Sequence, residues 1–256
     1  VYSEIVAHDL PASELAARAD LVVTISEYSK AQVEGRLSVS SDRIAVCRPG
    51  VPSWIAGPLP RRPASPGHLL FLGTLEPRKN IAGLLAAYRL LVERWPSAPP
   101  LVLAGQPTPA ADAWVAAAQA PPLKGRVTIE GYVSHERRAE LYAGASLLVL
   151  PSLDEGFGLP ALEAMALGVP VVASSLGALP EVVGDGGILV DPASVRELAD
   201  ALGAVTTDPH LAARLRDAGI ARAGRFSWPA SARALVDAYA RAARQDSGGR
   251  RPAPRG

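Results

Sequence analysis

Two glutamates and a pair of basic residues are the side chains whose types and spacing best support chemistry in this sequence. Glu155 and Glu163 lie eight positions apart in the segment EGFGLPALE, and Arg78 and Lys79 lie in the segment GTLEPRKN. Carboxylates accept hydrogen bonds from hydroxyl groups, whereas a guanidinium fork and an ammonium group bind phosphate oxygens. Together these residue types suit a ligand that carries both hydroxyls and phosphates, such as a sugar nucleotide.

The glutamates belong to a stretch that predicts a strand, a glycine loop and a helix in succession. Residues 147–170 read LLVLPSLDEGFGLPALEAMALGVP, and the apolar run at their start is typical of a buried parallel strand. Pro160 suits the first helical position, because it has no N–H group to leave unpaired. The free N–H groups of that helix turn and the permissive backbone of Gly156 and Gly158 predict an anion site.

The basic pair, like the glutamates, belongs to a loop between a predicted strand and a predicted helix. Arg78 and Lys79 follow the predicted strand Leu69–Gly73 and precede a predicted helix. Cations are disfavoured at a helix N-terminus, because the helix dipole already places positive charge there. A bound anion explains the pair better than a solvated helix start does. Arg78 offers a planar donor fork and Lys79 a point charge, which suits a diphosphate.

Strand and helix patterns alternate from Leu69 onward, which predicts an α/β fold with a doubly wound parallel Rossmann-like sheet. The predicted strands are Leu69–Gly73, Leu101–Ala104, Val127–Ile129, Leu147–Leu150, Val169–Ala173 and Ile188–Val190. The predicted helices are Ile81–Trp95, Ala110–Gln119, His135–Ala143, Pro160–Leu167, Leu179–Val183, Ser194–Ala204, Pro209–Ala223 and Pro229–Arg244. Ligands bind at the carboxyl ends of the strands in such sheets, so the loops after the first four strands define the predicted site.

The first fifty residues carry weaker patterns. Val1–Leu15 shows no clean periodic element. Asp20–Ile25 and Arg43–Cys47 predict short strands, and Ser26 predicts the cap of a helix from Glu27 to about Leu37. A linker rich in proline, glycine and arginine follows the second of these strands.

The composition fits a soluble globular protein and excludes several classes of function. The chain has 256 residues, of which 48% are hydrophobic and 20% charged, and its net charge of +1 does not predict a nucleic-acid partner. The single Cys47 excludes an internal disulfide and a cysteine metal cluster, and it favours a reducing, cytoplasmic location. No cluster has metal-ligand spacing. No apolar run reaches the roughly 18 residues of a membrane span.

The string EGFGLPALEAMALGVPVV resembles the E-x7-E motif of retaining glycosyltransferases of the GT-B fold, in particular glycosyltransferase family 4. The segments ADLVVTISEYSK and DRIAVCRPGV resemble the last part of the N-terminal domain in that family. The resemblance implies the C-terminal half of a GT-B enzyme with a short remnant of its N-terminal domain. The implied parts are the remnant at 1–50, a linker at 51–66, a nucleotide-sugar-binding Rossmann-like domain at 67–225, a C-terminal helix at 226–244 and a disordered tail at 245–256.

The resemblance also implies roles for individual residues. Arg78 and Lys79 match the basic pair that grips the donor diphosphate and stabilises its developing charge. Glu163 matches the glutamate that binds the ribose hydroxyls, and Glu155 matches the glutamate near the donor sugar. The implied catalytic residues are Arg78, Lys79 and Glu155. The implied donor-binding residues are Gly73, Thr74, Arg78, Lys79, Gly105, Tyr132, Val133, Glu155, Gly156, Phe157, Gly158, Leu159 and Glu163.

Thr74 departs from the family pattern, in which several members carry arginine directly after the first-strand glycine. One phosphate contact is therefore expected to be weaker or to come from another residue. The four histidines give weaker signals. His8-Asp9 resembles a family pair near the reacting centre, but it lies too close to the first strand and is interpreted as a surface segment. His68, His135 and His210 are predicted at the surface.

The implied function is retaining, metal-independent transfer of a hexosyl group from a nucleotide-diphosphate sugar. The segment GTLEPRKN recurs in a mannosyl- and rhamnosyl-transferring branch, which favours a mannosyl-type group and a GDP-hexose over a UDP-hexose. The acceptor would be a glycan, a lipid or a small molecule, as in bacterial polysaccharide biosynthesis. Because most of the N-terminal domain is missing from the sequence, we expect the chain alone to be incomplete as a catalyst. Peripheral membrane contact through that domain stays open.

Two alternatives share the same donor site. One is a GT-B sugar-nucleotide epimerase, which would need additional acid–base residues. The other is a non-catalytic or split nucleotide-sugar-binding subunit that completes its cleft with a partner chain. A dehydrogenase is disfavoured, because the first strand–helix turn contains no G-x-G-x-x-G.

Overall fold

The structure is a computed structural model that describes residues 11–56 and 67–248, with side chains described as far as residue 244. His8-Asp9, most of the predicted linker and the end of the predicted tail lie outside the described residues. The chain divides into two compact units, one made of Val1–Gly50 with Phe226–Gly256 and the other made of Val51–Arg225.

The described residues form short strands and longer helices, numbered in chain order. They are α1 (Ala12–Arg18), β1 (Val22–Thr24), α2 (Glu27–Leu37), β2 (Ile44–Val46), β3 (His68–Leu72), α3 (Ile81–Arg94), β4 (Leu101–Ala104), α4 (Asp112–Ala118), β5 (Val127–Gly131), α5 (His135–Gly144), β6 (Ala145–Leu150), α6 (Leu159–Ala166), β7 (Val171–Ser174), α7 (Leu179–Val183), β8 (Ile188–Val190), α8 (Val195–Thr207), α9 (Pro209–Ala223) and α10 (Trp228–Gly248).

A six-stranded parallel sheet forms the centre of the larger unit, with the strand order β5-β4-β3-β6-β7-β8. All six predicted strands are present, and the prediction of a doubly wound parallel sheet is confirmed. Every residue of β4 and β7 is buried, as expected when helices cover both faces of a parallel sheet. The chain runs outward from β3 to β5 and then returns to β6 on the other side of β3. The strand order therefore reverses between β3 and β6.

Helix α3 shows how the helices cover this sheet. Its buried residues recur at the three- and four-residue spacing of one helix face, and the largest of them are Ile81, Leu84, Leu85, Tyr88 and Leu91. Full burial of each such side chain contributes about 1.5–3 kcal/mol through the hydrophobic effect. The sheet and its helices thus form a rigid base for the loops at the strand ends.

The smaller unit contains the parallel pair β1 and β2, which agrees with the two strands predicted in the first fifty residues. Helix α1 is absent from the prediction, because a seven-residue helix with one buried residue, Ala16, leaves no periodic pattern in the sequence. Helix α10 continues to Gly248, so the prediction that the tail begins at Gln245 is wrong for its first residues. Residues 245–248 read QDSG, so the apolar residues at i, i+3 and i+4 that predict an amphipathic helix end before them.

Two glycines close the adjacent ends of β3 and β4. Gly73 donates its N–H to the carbonyl oxygen of Ala104 at 2.9 Å. A Cβ atom at Gly105 would lie 1.9 Å from the carbonyl oxygen of Gly73, and the φ of Gly105 is +154°. Only glycine satisfies both the space and the backbone conformation at this position. The two strand ends can therefore approach each other closely at the rim of the sheet.

The basic loop contains a short element that the sequence does not predict. Pro77–Lys79 form a 3-10 turn, and the helix then begins at Ile81, after Asn80, as predicted. Asn80 adopts a left-handed conformation with φ 55° and accepts a hydrogen bond from the Gly83 N–H at 3.2 Å. Its Nδ2 donates to the carbonyl oxygen of Pro192 at 2.8 Å. Asn80 thus caps α3 and fixes the turn that carries the basic pair.

We expect Asn80→Ala to lower the free energy of unfolding by about 2–3 kcal/mol. The change removes a helix cap and a hydrogen bond, and it leaves a residue less tolerant of the left-handed region at this φ. Urea unfolding measures the loss. Ser194→Ala serves as the control, because Ser194 caps α8 with an ordinary φ of −91°, and its loss should be about 1 kcal/mol. Equal losses for the two variants would contradict the prediction.

Candidate functional site

The candidate site lies at the carboxyl ends of the strands, beside the point where the strand order reverses. The loop 73–80 follows β3 and the loop 151–158 follows β6, and these two strands are neighbours in the sheet. In open parallel sheets a ligand crevice forms at such a reversal, because the loops on either side turn away from each other. The two loops carry the basic pair and the first glutamate.

An ion pair between Lys79 and Glu155 joins these two loops. The Nζ atom of Lys79 binds Oε2 of Glu155, and the side chains are only 9% and 13% exposed. The Ser152 hydroxyl donates to the same oxygen at 3.3 Å. The resemblance places Lys79 on the diphosphate and Glu155 near the sugar, but it does not indicate that they bind each other. The ammonium group is therefore held in one place by a carboxylate of its own chain.

Arg78 reinforces the connection from a more exposed position. Its Nη2 lies 2.7 Å from Oε1 of Glu76, and its Nη1 donates to the carbonyl oxygen of Asp154 at 3.1 Å. The Arg78 carbonyl oxygen in turn accepts the N–H of Leu153 at 2.8 Å. The Arg78 side chain is 47% exposed, so its guanidinium remains accessible to a ligand while the backbone ties the loops together.

The glycine loop before α6 is fixed by a third segment, the loop after β7. The carbonyl oxygen of Glu155 accepts the N–H of Ala178 at 2.8 Å, and a Cβ atom at Gly177 would lie 2.8 Å from the backbone nitrogen of Glu155. Gly158 has φ +93° and is the residue before the helix. Phe157 is buried beneath this loop. Helix α6 begins at Leu159, one residue before the predicted start, so Pro160 stands in its first turn as expected.

A cavity of about 220 Å³ opens beside the ends of β3, β4 and β5. It is lined by Leu72, Gly73, Thr74, Ala104, Gly105, Gln106, Tyr132, Val133, His135 and Arg138. Five of the predicted donor-binding residues, namely Gly73, Thr74, Gly105, Tyr132 and Val133, are therefore brought together at this cavity. The cavity is smaller than the ~300–1,000 Å³ of a complete small-molecule site, so it would hold one part of a larger ligand.

Gln106, His135 and Arg138 line this cavity but are not among the predicted site residues. His135 is exposed, as predicted, yet it faces the cavity. A signal for Arg138 does exist in the sequence. Arg138 and Tyr142 are four residues apart on the helix that follows the third predicted strand, so they share a helix face near a strand end.

The second glutamate, Glu163, lies on α6 and is 2% exposed. It forms an ion pair with Nη2 of Arg138, and the Tyr142 hydroxyl donates to it at 2.8 Å. Both contacts go to Oε2. Burial raises the pKa of the Glu163 carboxyl above its ordinary value, and the contacts with Arg138 and Tyr142 oppose that rise only in part. The second carboxylate is therefore charged in a place where charge is costly.

Trp54 covers this ion pair. It lies in a 3-10 turn, Ser53–Ala56, and its ring stacks on Tyr142 with centroids 6.2 Å apart. The guanidinium carbon of Arg138 lies 5.7 Å from the Trp54 ring centroid, within cation–π range. The aromatic ring thus limits how far the guanidinium can move from Glu163.

One histidine prediction is wrong. The sequence predicts His68 at the surface, but it is half-buried at the start of β3, the end of the strand away from the site. Its Nε2 atom is buried and has no hydrogen-bond partner among the described residues. Burial lowers the pKa of His68 below its ordinary value. The first residue of an apolar strand can be covered by the neighbouring helix, which a sequence pattern of strand residues does not reveal.

Metal clusters and membrane spans are two other kinds of feature that bear on function. Within residues 11–56 and 67–248, no group of three or more His, Cys, Asp or Glu side chains is arranged to hold a metal ion. In the same residues, no helix combines the length and the apolar character that crossing a bilayer requires.

The sequence is similar to those of known proteins over most of its length. The sequence model described as "Glycosyl transferases group 1" matches residues 60–222. The O-antigen chain mannosyltransferase B of Escherichia coli is 36% identical over 242 residues, which is 86% of this chain and 60% of that protein. The chain thus spans about three-fifths of the length of that curated relative.

Solved structures show the same fold. Sucrose-phosphate synthase from Thermosynechococcus elongatus superposes with a TM-score of 0.76 at 28% identity, covering 90% of this chain and 60% of that one. Anabaena HepE, solved in complex with UDP and glucose, superposes with a TM-score of 0.73 at 22% identity, covering 90% of this chain and 65% of that one. The central sheet and its flanking helices are therefore an arrangement shared with glycosyltransferases.

The Lys79–Glu155 pair predicts a stability coupling. We expect Glu155→Gln to lower the free energy of unfolding by about 3 kcal/mol, because it leaves a nearly buried ammonium without its carboxylate. Adding Lys79→Met should recover more than about 1 kcal/mol of that loss.

Urea unfolding of the two single variants and the double variant measures the coupling. The exposed pair Arg89 and Glu93, one helix turn apart on α3, is the matched control. Its coupling should stay below about 0.5 kcal/mol. A coupling at Lys79–Glu155 no larger than this control would show that the pair does not hold the loops together.

Proposed function

Because the chain belongs to the glycosyl transferases group 1 family, we propose that it binds a nucleotide-diphosphate sugar at the β3–β6 reversal for transfer of a hexosyl group with retention of configuration. A mannosyl-type group carried by GDP is the favoured donor. The name of the relative from Escherichia coli, an O-antigen chain mannosyltransferase, supports that preference. The acceptor class we propose is a glycan, a lipid or a small molecule, and the location we propose is cytoplasmic.

The observation that carries this proposal is the position of the Lys79–Glu155 pair between a polar loop and a helix N-terminus. The pair lies beside the cavity, since a Cβ atom at Gly73 in the cavity wall would lie 3.7 Å from Cε of Lys79. A diphosphate placed at this point would meet the Lys79 ammonium, the exposed fork of Arg78 and the positive dipole end of α6. The nucleoside would then extend into the cavity.

In the proposed reaction the bond between the sugar and the diphosphate breaks, and negative charge grows on the leaving phosphate. Lys79 and Arg78 are already fixed by contacts within the chain, so they would stabilise that charge without reorganising. We propose no metal ion for this role. Glu155 would hold Lys79 in place and contact the sugar from its remaining oxygen.

Glu155 is thus proposed as a positioning and charge-balancing group rather than as a nucleophile. Its Oε2 already binds Lys79 and Ser152, and a carboxylate held by an ammonium group is a weaker nucleophile than a free one. In this arrangement the acceptor would attack from the side on which the diphosphate leaves.

Nucleoside diphosphate binding tests the basic loop. Arg78→Ala and Lys79→Ala should each weaken binding of GDP or UDP by about 1.5–3 kcal/mol, the range for a hydrogen bond to a charged group. Calorimetry with both nucleotides measures the effect, and UDP is included because the HepE structure contains it. Arg89→Ala, on the far part of α3, should bind like the unaltered chain. Unchanged affinity in the double variant, or binding that EDTA abolishes, would contradict the proposal.

A second binding experiment distinguishes the roles of the two glutamates. Glu163→Gln should weaken GDP or UDP and the corresponding hexose nucleotide to the same extent, because the ribose is common to both. Glu155→Gln should weaken the sugar-bearing ligand more than the free diphosphate, because only the former also loses a contact to the sugar. The ratio of the two affinities for each variant is the measurement. If Glu155→Gln reduced the affinity for the two ligands equally, the role assigned to Glu155 would be wrong.

A further inference from the structure

Arg138 is a residue to which neither the family resemblance nor the proposed function assigns a role. It lies on α5, lines the cavity and forms an ion pair with Glu163 on α6. Tyr142, the other hydrogen-bond partner of Glu163, is not part of the cavity wall. Arg138 is therefore the link between the cavity and the buried carboxylate.

We propose that Arg138 is a positioning residue, which keeps the Glu163 carboxylate charged and oriented so that it can accept hydrogen bonds from the hydroxyls of a ribose in the cavity. This inference rests on the proposed function, in which a nucleoside diphosphate occupies the site. Arg138 would act through Glu163 and need not touch the ligand itself.

The contacts of Glu163 with Arg138 and Tyr142 occupy only one of its two carboxylate oxygens. Arg138 and Tyr142 both bind Oε2 of Glu163, so neither of them uses Oε1. Because the guanidinium and the phenol both hold one carboxylate oxygen, the other oxygen is left for hydrogen bonds to a ligand. Neighbouring hydroxyls of a ribose are donors that such an oxygen accepts well, provided that the carboxylate is ionised.

The charge of Glu163 depends on few groups. The titratable groups that act on it are Arg138, Tyr142 and His135, all on α5, and burial opposes its ionisation. Burial also raises the pKa of the Tyr142 phenol far above its ordinary value, so this hydroxyl remains a neutral donor. Without Arg138, only Tyr142 and His135 would oppose the effect of burial on the pKa of the Glu163 carboxyl. The carboxyl would take up a proton at a higher pH than it does beside Arg138, and it would regain its charge as the pH rises.

A purely structural role for the ion pair explains the arrangement less well. The Nε atom of Arg138 is buried and has no hydrogen-bond partner among the described residues. A buried donor without a partner destabilises a fold, and buried ion pairs are often less stable than apolar side chains of similar size. An apolar residue at this position would pack against Trp54 without that cost. The unpartnered Nε atom therefore fits a role in the site better than a purely structural one.

The experiment compares each nucleotide with its analogue that lacks the ribose hydroxyls. Calorimetry measures the affinity of GDP against 2′,3′-dideoxy-GDP, and of UDP against 2′,3′-dideoxy-UDP, between pH 6 and pH 9. The ratio cancels the protonation of the diphosphate itself, which is common to both members of a pair. The unaltered chain should prefer the ribonucleotide at least about tenfold at every pH.

Arg138→Leu should reduce this preference most at pH 6, and the preference should increase toward pH 9 as Glu163 ionises. Arg138→Lys should restore much of the preference at pH 6, because it returns a positive charge. Adding Glu163→Gln to Arg138→Leu should remove the pH dependence. The matched control is Arg137→Leu, since Arg137 is exposed on the same helix and binds Glu130 and Glu140 instead; its preference should be unchanged.

The outcomes separate the inference from the function on which it rests. Absence of a ribose preference in the unaltered chain would overturn the role of Glu163 in the proposed function. A ribose preference that persists in Arg138→Leu at pH 6, or that is lost equally at every pH, would overturn the inference alone. If Arg138→Leu does not fold, as judged by circular dichroism, Arg138→Gln removes the charge with a polar side chain of similar length and faces the same criteria.

Discussion

An ammonium group and a carboxylate that are almost withdrawn from water cannot be left apart, and this constraint organises the rim of the sheet. Lys79 and Glu155 are 76 positions apart in the sequence, yet each is the counter-ion of the other. The pair is possible because β3 and β6 are neighbours, and it binds the loop after one strand to the loop after the other. The turn capped by Asn80 and the glycine loop before α6 then present their charges and N–H groups toward one place.

Each glutamate of the E-x7-E motif is paired with a cation, and the two cations come from different parts of the sheet. Glu155, on a loop, is balanced by Lys79 from the loop after β3. Glu163, one helix turn inside α6, is balanced by Arg138 from the helix after β5. Each carboxylate thus receives a cation from a separate strand–helix unit of the sheet. In this chain the two glutamates are therefore best understood as members of two ion pairs whose geometry depends on the order of the strands.

Much of the fold could be predicted, because strands buried on both faces are continuous apolar runs and β4 and β8 match their predicted limits. Helix α1 could not, because it buries too little apolar surface to leave a period, and the end of α10 could not, because its sequence there, QDSG, contains no apolar side chain. Within the site, glycines and charged residues indicated which loops matter. The partners of Lys79, Glu155 and Glu163 could not be found in this way, since pairing depends on strand order and helix faces, which local patterns do not encode.

Two neighbouring strands reach the cavity with a glycine just after their ends, Gly73 after β3 and Gly105 after β4, and Gly131 ends the next strand, β5. Gly105 donates its N–H to the Gly131 carbonyl oxygen at 2.7 Å, and no side chain fits between Gly105 and Gly73. The floor of the cavity is therefore main chain, whereas its walls are side chains such as those of Gln106, Tyr132 and Val133. Mutation can reshape the walls while the floor stays constant. A lineage carrying this sheet can thus vary the side chains around the cavity without rebuilding its main-chain floor.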